Sequence, residues 1–216
     1  MIFDIIKNLE LNSDSIVFEI GSHMGFDTEE LYKLSNHAII HGFEPDPRNY
    51  AILMERSINN IAKLNNVAVS DVTGDTDFYL SSGVLPHPTG NDYYDNNDWT
   101  ASSSLYKFKN HTEIYPWCKT SEVIKVKTIT LDEYCKSNNI DKIDFIWMDV
   151  QGAEYLVFKG AKDILEKTKY IYTEYSNDEL YEGQKNLSDM LSILPGEWLS
   201  IECEGDNVLL KNQNIK

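Results

Sequence analysis

Short apolar runs alternate with helical patterns along the first two-thirds of the chain. Ile16–Ile20 is a near-continuous apolar run of strand length and predicts a buried strand. Asp27–Leu34 predicts a helix, with acids in its first turn to complement the helix dipole. Ala38–Phe43 predicts a second strand. Pro47 suits a first helical position, and Tyr50, Leu53 and Met54 then recur at helical spacing. Val67–Ser70 predicts a third strand or its end. This alternation implies βαβ units and a parallel sheet.

The pattern then changes. Asp75–Leu80 alternates like an exposed strand after the Thr73-Gly74 turn. Residues 82–104 carry Gly83, Pro86, Pro88 and Gly90 with the aromatics Tyr93, Tyr94 and Trp99. A loop this long inside a compact domain is a functional lid or a disordered segment, and its aromatics favour a lid, extending over 82–118 above an acceptor site. Thr130–Ser137 predicts a helix capped by Thr130, with Glu133 at the capping-box position. Ile143–Asp149 predicts strand four. The helix after it places Leu156, Val157, Ile164 and Leu165 on one face and is weakened by Gly160. Tyr170–Tyr175 predicts strand five, and Leu187–Leu194 a last helix stopped by Pro195-Gly196. Trp198–Glu202 and Val208–Lys211 flank Gly205-Asp206-Asn207, a hairpin signal. The expectation is one α/β domain over residues 1–216, its mostly parallel sheet closed by an antiparallel hairpin.

Composition narrows the partners. The chain has 216 residues, 42% of them hydrophobic and 12% aromatic, which is globular rather than disordered composition. No apolar run approaches the ~18 residues of a membrane span. The start, Met1-Ile2-Phe3-Asp4, lacks the basic, then apolar pattern of a signal peptide, so an intracellular location is expected. A domain cut from a longer protein has the same appearance. The net charge of −16 disfavours nucleic acid and anionic membrane surfaces and suits a neutral substrate. Cys118, Cys135 and Cys203 are widely spaced and odd in number, and read as reduced structural thiols.

Candidate chemistry gathers at predicted strand ends. Asp149 closes the run Ile143-Asp144-Phe145-Ile146-Trp147-Met148-Asp149, where open α/β sheets bind ligands. Gly21 and Gly25 follow strand one and permit close backbone approach, but the spacing is not the GxGxxG of dinucleotide sites. Glu44 follows strand two, about 20 residues after Gly25, where an acid accepts the hydroxyls of a ribose. Asn66-Val67-Ala68-Val69-Ser70-Asp71 offers backbone groups and Asp71 to an adenine edge.

Six segments in order resemble the FkbM family of class I, Rossmann-like, S-adenosylmethionine-dependent methyltransferases. They are residues 18–25, 42–45, 66–71, 100–105, 126–132 and 143–154. The resemblance implies a three-layer sandwich around a mostly parallel seven-stranded sheet with an antiparallel C-terminal hairpin. It implies that Glu19, Gly21, Ser22 and Gly25 hold the methionyl end of the cofactor, Glu44 and Pro45 its ribose, and Ala68 and Val69 its adenine. Ser103 or Ser104 would reach the cofactor carboxylate. Glu19 and His23 depart from the more frequent Asp and Asn, and Gln151 stands where Glu is frequent.

A methyl acceptor hydroxyl is a poor nucleophile and needs a base or a metal. Asp149 is the first choice of base and Glu174, at the end of strand five, the second carboxylate. Both could instead hold Mg²⁺, an oxygen-seeking ion. His23, His87 and His111 are rival bases. Tyr93, Tyr94, Trp99 and Trp117 suit the apolar faces of a sugar ring, so a carbohydrate acceptor is expected. The alternatives are a nicotinamide oxidoreductase, which the missing GxGxxG opposes, and a non-catalytic binding module. The sequence leaves the acceptor's identity and the oligomeric state open.

Overall fold

A computed structural model describes residues 6–87 and 98–215. The expected lid aromatics Tyr93 and Tyr94 lie outside the described residues. In chain order the strands are β1 (Ile16–Ile20), β2 (Ile39–Phe43), β3 (Ala62–Asn65), β4 (Ala68–Val69), β5 (Gly74–Gly83), β6 (Cys118–Ile129), β7 (Ile143–Met148), β8 (Thr168–Glu174), β9 (Trp198–Glu204) and β10 (Asn207–Asn212). The helices are α1 (Phe26–Leu34), α2 (Pro47–Glu55), α3 (His111–Ile114), α4 (Leu131–Asn138), α5 (Glu154–Lys159), α6 (Lys162–Leu165) and α7 (Leu187–Ser192).

Seven strands form the main sheet in the order β3-β2-β1-β7-β8-β10-β9. Only β10 runs against the rest, pairing antiparallel with both β8 and β9. The central strands are apolar on both faces because both are covered. Val17, Phe145 and Trp147 pack on one side with Leu31 of α1 and Leu53 of α2. Phe18, Ile20, Ile146 and Met148 point to the other, against Tyr134 of α4 and Val157 and Phe158 of α5. Burying a side chain such as Phe18 contributes about 1.5–3 kcal/mol. The chain leaves β1 toward β2 and β3, then returns to build β7 and β8 on the opposite side. This reversal opens a crevice between β1 and β7 at their carboxyl ends.

Three expectations need correction. Strand three of the main sheet is Ala62–Asn65, not Val67–Ser70; Ala68–Val69 belongs to a second sheet of order β4-β6-β5. The twelve-residue β6 is a strand that the pattern of the sequence did not announce. Gly160 does not merely weaken its helix but ends α5. A Cβ there would lie 2.1 Å from the Ser70 carbonyl oxygen, so glycine is what lets this turn cross the end of β4.

The described part of the expected lid is bonded to the body. Trp99 N–H donates to the Gly83 carbonyl, and Ser104 exchanges two backbone bonds with Tyr79, so residues 99–104 lie along β5. Phe108 bridges to Tyr181. Cys118, Cys135 and Cys203 are all free thiols. Among the described residues no helix is long and apolar enough to cross a membrane.

Candidate active site

The register of the sheet sets one row of residues at its carboxyl edge. Ile20 pairs with Phe43 and with Met148, and Met148 pairs with Thr173. The next residue on each strand is therefore Gly21, Glu44, Asp149 or Glu174. Gly21 has φ 96°, and a Cβ on it would sit 1.9 Å from the Asp149 carbonyl oxygen. A side chain at Gly21 is thus excluded both by φ and by the turn that presents Asp149.

One cavity opens over β1 and β2. Ser22, His23, Asp27 and Asp149 form its polar end, and Val67, Ala68, Val69, Phe78 and Leu105 its apolar end. Glu44 lies between. Its carboxylate accepts the N–H of His23 at 2.7 Å, the N–H of Asp46 at 2.9 Å and the Asn49 amide at 3.4 Å. Burial nevertheless pushes its pKa up to about 8. Thr100 hydroxyl donates to Asn49 Oδ1 at 2.7 Å, which leaves its oxygen to accept from His23 Nε2 at 2.9 Å. That places the proton on His23 Nε2, and burial holds this imidazole neutral with a pKa near 4. The chain Glu44–Asn49–Thr100–His23 ties the segment after residue 98 to the strand-end loops.

Of the residues expected to hold a cofactor, Gly21, Ser22, Glu44, Pro45, Ala68, Val69 and Ser103 are in this wall. Glu19 and Gly25 are not. Glu19 is fully buried behind it, with Oε2 accepting from Thr28 hydroxyl at 2.5 Å and Oε1 without a partner. Burial raises its pKa to about 8. Gly25 serves packing: it caps α1 at φ 79°, and a Cβ would press on Leu53 and Ile58 at 2.7 and 2.8 Å. Asp27 is the acid that reaches the wall instead. Ser103 hydroxyl is spent internally, donating to the buried Asp46 at 3.1 Å and accepting from Ser81 N–H at 3.0 Å. Ser104 hydroxyl donates to the Gln151 carbonyl. Both hydroxyls are thus engaged within the protein. Asp71 pairs with Lys159 at 2.6 Å, away from the cavity wall.

A second cavity adjoins the first and shares Ala101, Asp149 and Gln151 with it. Trp99, Tyr115, Trp117 and Tyr181 supply aromatic wall, and Glu154, Glu174 and Asp206 add acids to Asp149. Trp99 and Trp117 meet edge to face at 5.3 Å. Gln151 links the two acids of interest. Its Nε2 donates to Asp149 at 2.7 Å and to Glu174 at 3.2 Å, while its Oε1 accepts from Tyr181 hydroxyl at 2.6 Å. Burial, then the charges of Asp149 and Glu154, push the Glu174 pKa well up. Glu174 is therefore held toward its neutral form. The donor set does not fit Mg²⁺. An amide donor, not a ligand oxygen, lies between the two carboxyl groups, and no group of three or more His, Cys, Asp or Glu suited to a metal occurs among the described residues.

The histidines separate by place. His23 is a neutral link in the first cavity, His87 is exposed and in neither wall, and His111 is buried in the second. Asp27, Asn49, Thr100, Tyr181 and the bridging role of Gln151 escaped the sequence reading. Only Thr100 and Gln151 carried a signal, as members of the FkbM-like segments; Tyr181 lay in a stretch without periodicity.

The Methyltransferase FkbM domain model matches residues 19–204. The chain is 40% identical over 216 residues to the 2-O-methyltransferase NoeI of Sinorhizobium fredii (strain NBRC 101917 / NGR234), covering 98% of this chain and 84% of that protein. It is 24% identical over 176 residues to the hexuronic acid methyltransferase AglP of Haloferax volcanii, covering 79% of this chain and 61% of that protein. The fold matches an rRNA methylase from Streptococcus thermophilus at TM-score 0.50 and 12% identity, over 98% of this chain and 94% of that one. This protein belongs to the FkbM methyltransferase domain family.

Proposed function

We propose that the chain is an S-adenosylmethionine-dependent O-methyltransferase acting on a sugar hydroxyl, with Asp149 as its base. The row Gly21, Glu44, Asp149, Glu174 carries this reading. It sets a cofactor-sized cavity and an aromatic cavity on either side of one acid. The relatives support it: one is a 2-O-methyltransferase and another modifies a hexuronic acid.

The first cavity fits S-adenosylmethionine residue by residue. Asp27 at the wall would favour the cationic methionine end. Glu44 keeps lone pairs for the ribose hydroxyls. Val67, Ala68, Val69 and Phe78 offer an apolar slot to the adenine. The cofactor supplies an electrophilic methyl on a sulfonium sulfur. The chain's own contribution lies at the acceptor. Asp149 takes the hydroxyl proton as the new O–C bond forms, Glu174 is held toward its neutral form beside it, and Gln151 fixes both acids. Tyr181 locks Gln151 in turn. Residues 1–216 are read as one methyltransferase domain, with the described part of the 82–118 segment, from Trp99 to Trp117, bordering the acceptor side.

Incubation with S-adenosylmethionine and a panel of methyl glycosides tests the reading by mass spectrometry. A methylated glycoside with stoichiometric S-adenosylhomocysteine is expected. Binding of NAD in place of S-adenosylhomocysteine would overturn it.

A further inference from the structure

We infer that the second cavity is a subsite for an uncharged sugar ring, read by His111 and closed to uronates by its carboxyl wall. This inference rests on the sugar O-methyltransferase reading and goes beyond it, because one relative takes a hexuronic acid.

Two independent observations carry it. The first is His111, on the first turn of α3. It is 3% exposed and forms part of the cavity wall, and its Nδ1 is buried without a hydrogen-bond partner. The ring stacks on Phe108, with centroids 4.2 Å apart, and the backbone N–H of His111 donates to the Leu180 carbonyl. A buried, unsatisfied nitrogen costs about 1–3 kcal/mol, which a ligand hydroxyl would recover. Burial keeps the imidazole neutral, with a pKa near 4, so it offers a hydrogen bond and no positive charge.

The second is the sign of the wall. Asp149, Glu154, Glu174 and Asp206 face the cavity, and among the described residues no Lys or Arg does. A ligand carboxylate would find four carboxyl groups and no cation. The negative field is visible in the protein itself, since Asp149, Glu154 and Asp206 all help to raise Glu174. A uronate entering the same space meets that field and must also lose its water. A neutral ring keeps its hydroxyls for the acids and His111, and lays its apolar face on Trp99 or Trp117.

The test uses the full chain saturated with S-adenosylhomocysteine. Methyl glycosides of glucose, galactose and mannose are titrated against the matching hexuronates, with binding read by calorimetry and ligand-observed NMR. At least one neutral glycoside is expected to bind about tenfold or more tightly than its uronate. Asp206→Lys should raise the uronate-to-neutral affinity ratio. His111→Phe, which preserves stacking but removes Nδ1, should weaken the neutral sugar about five- to tenfold. His111→Asn, which restores a polar atom near that position, should recover part of the loss. S-adenosylhomocysteine affinity of each variant reports whether the fold is kept. Equal binding of uronate and neutral sugar would overturn the exclusion while leaving the sugar reading standing. Failure of every sugar to bind would overturn both. Unchanged neutral-sugar affinity in His111→Phe would remove His111 from the subsite.

Discussion

The two cavities are neighbours that share Ala101, Asp149 and Gln151, yet they are built differently. The first rests mainly on residues at the carboxyl ends of β1, β2 and β7 and on Val67–Val69 at β4, so strand register places most of its wall, and residues 100–105 complete it. Beyond the turn at 149–154, the second draws its wall from separate stretches around 99–117, 174–184 and 206, brought together by side-chain contacts such as Tyr181 to Gln151. The first can therefore be common to chains that share the fold, while the second can vary loop by loop without disturbing the sheet. Asp149 stands where the fixed part meets the variable part.

Substitutions can break that contrast. The largest effect is expected for Gly21→Ala. The added Cβ must displace the Asp149 backbone, and the left-handed φ is itself strained, so both cavities deform at once. S-adenosylhomocysteine binding should be lost in calorimetry, and near-normal affinity would show that the two turns do not need this contact. Glu44→Gln comes next. A Gln amide group cannot accept from the His23 and Asp46 N–H groups together, so cofactor affinity should fall by about 10- to 100-fold with the acceptor side untouched. Gln151→Leu should act the other way round. It frees Asp149 and Glu174 from their shared donor and leaves Tyr181 hydroxyl only its longer contact to the Ser102 carbonyl, lowering kcat by about tenfold or more while cofactor affinity holds.

The difference in construction also decides what could be read from the sequence. Gly21, Glu44 and Asp149 were legible because each ends an apolar run, and an apolar run fixes a strand end to within a residue or two. Strand three was misplaced because β3, at the sheet edge, carries only Ala-Lys-Leu-Asn, whereas the more apolar Val67–Val69 serves the small sheet. β6 escaped notice because its residues 119–125 are mostly exposed and polar, which hides a strand held by pairing with β5. Glu19 was expected at the cofactor, but residues alternate across a strand, and its side chain points into the buried layer with Thr28. Gln151 looked like the loss of an acid. Its function as a bridge depends on Tyr181, thirty residues away, and no local pattern encodes that contact.

A separate expectation concerns stability and pH. Glu19 and Glu44 have folded-state pKa values near 8, against 4.5 for an ordinary Glu. Between these values the folded chain retains protons that the unfolded chain has released. Stability from these groups is thus fully present below about pH 4.5 and falls as pH rises toward 8, by at most about 1.4 kcal/mol per pH unit for each. Denaturant titrations from pH 5 to 8 should show a shallower fall in Glu44→Gln than in the parent. Identical slopes would mean that Glu44 is already ionised in the fold.

The division of labour at Asp149 is tested most directly by measuring methyl transfer and S-adenosylhomocysteine affinity side by side in Asp149→Asn. The account predicts that transfer falls by about 10²–10⁴-fold while affinity stays within a few fold of the parent. Unchanged turnover, or a loss of cofactor binding that matches the loss of turnover, would contradict it.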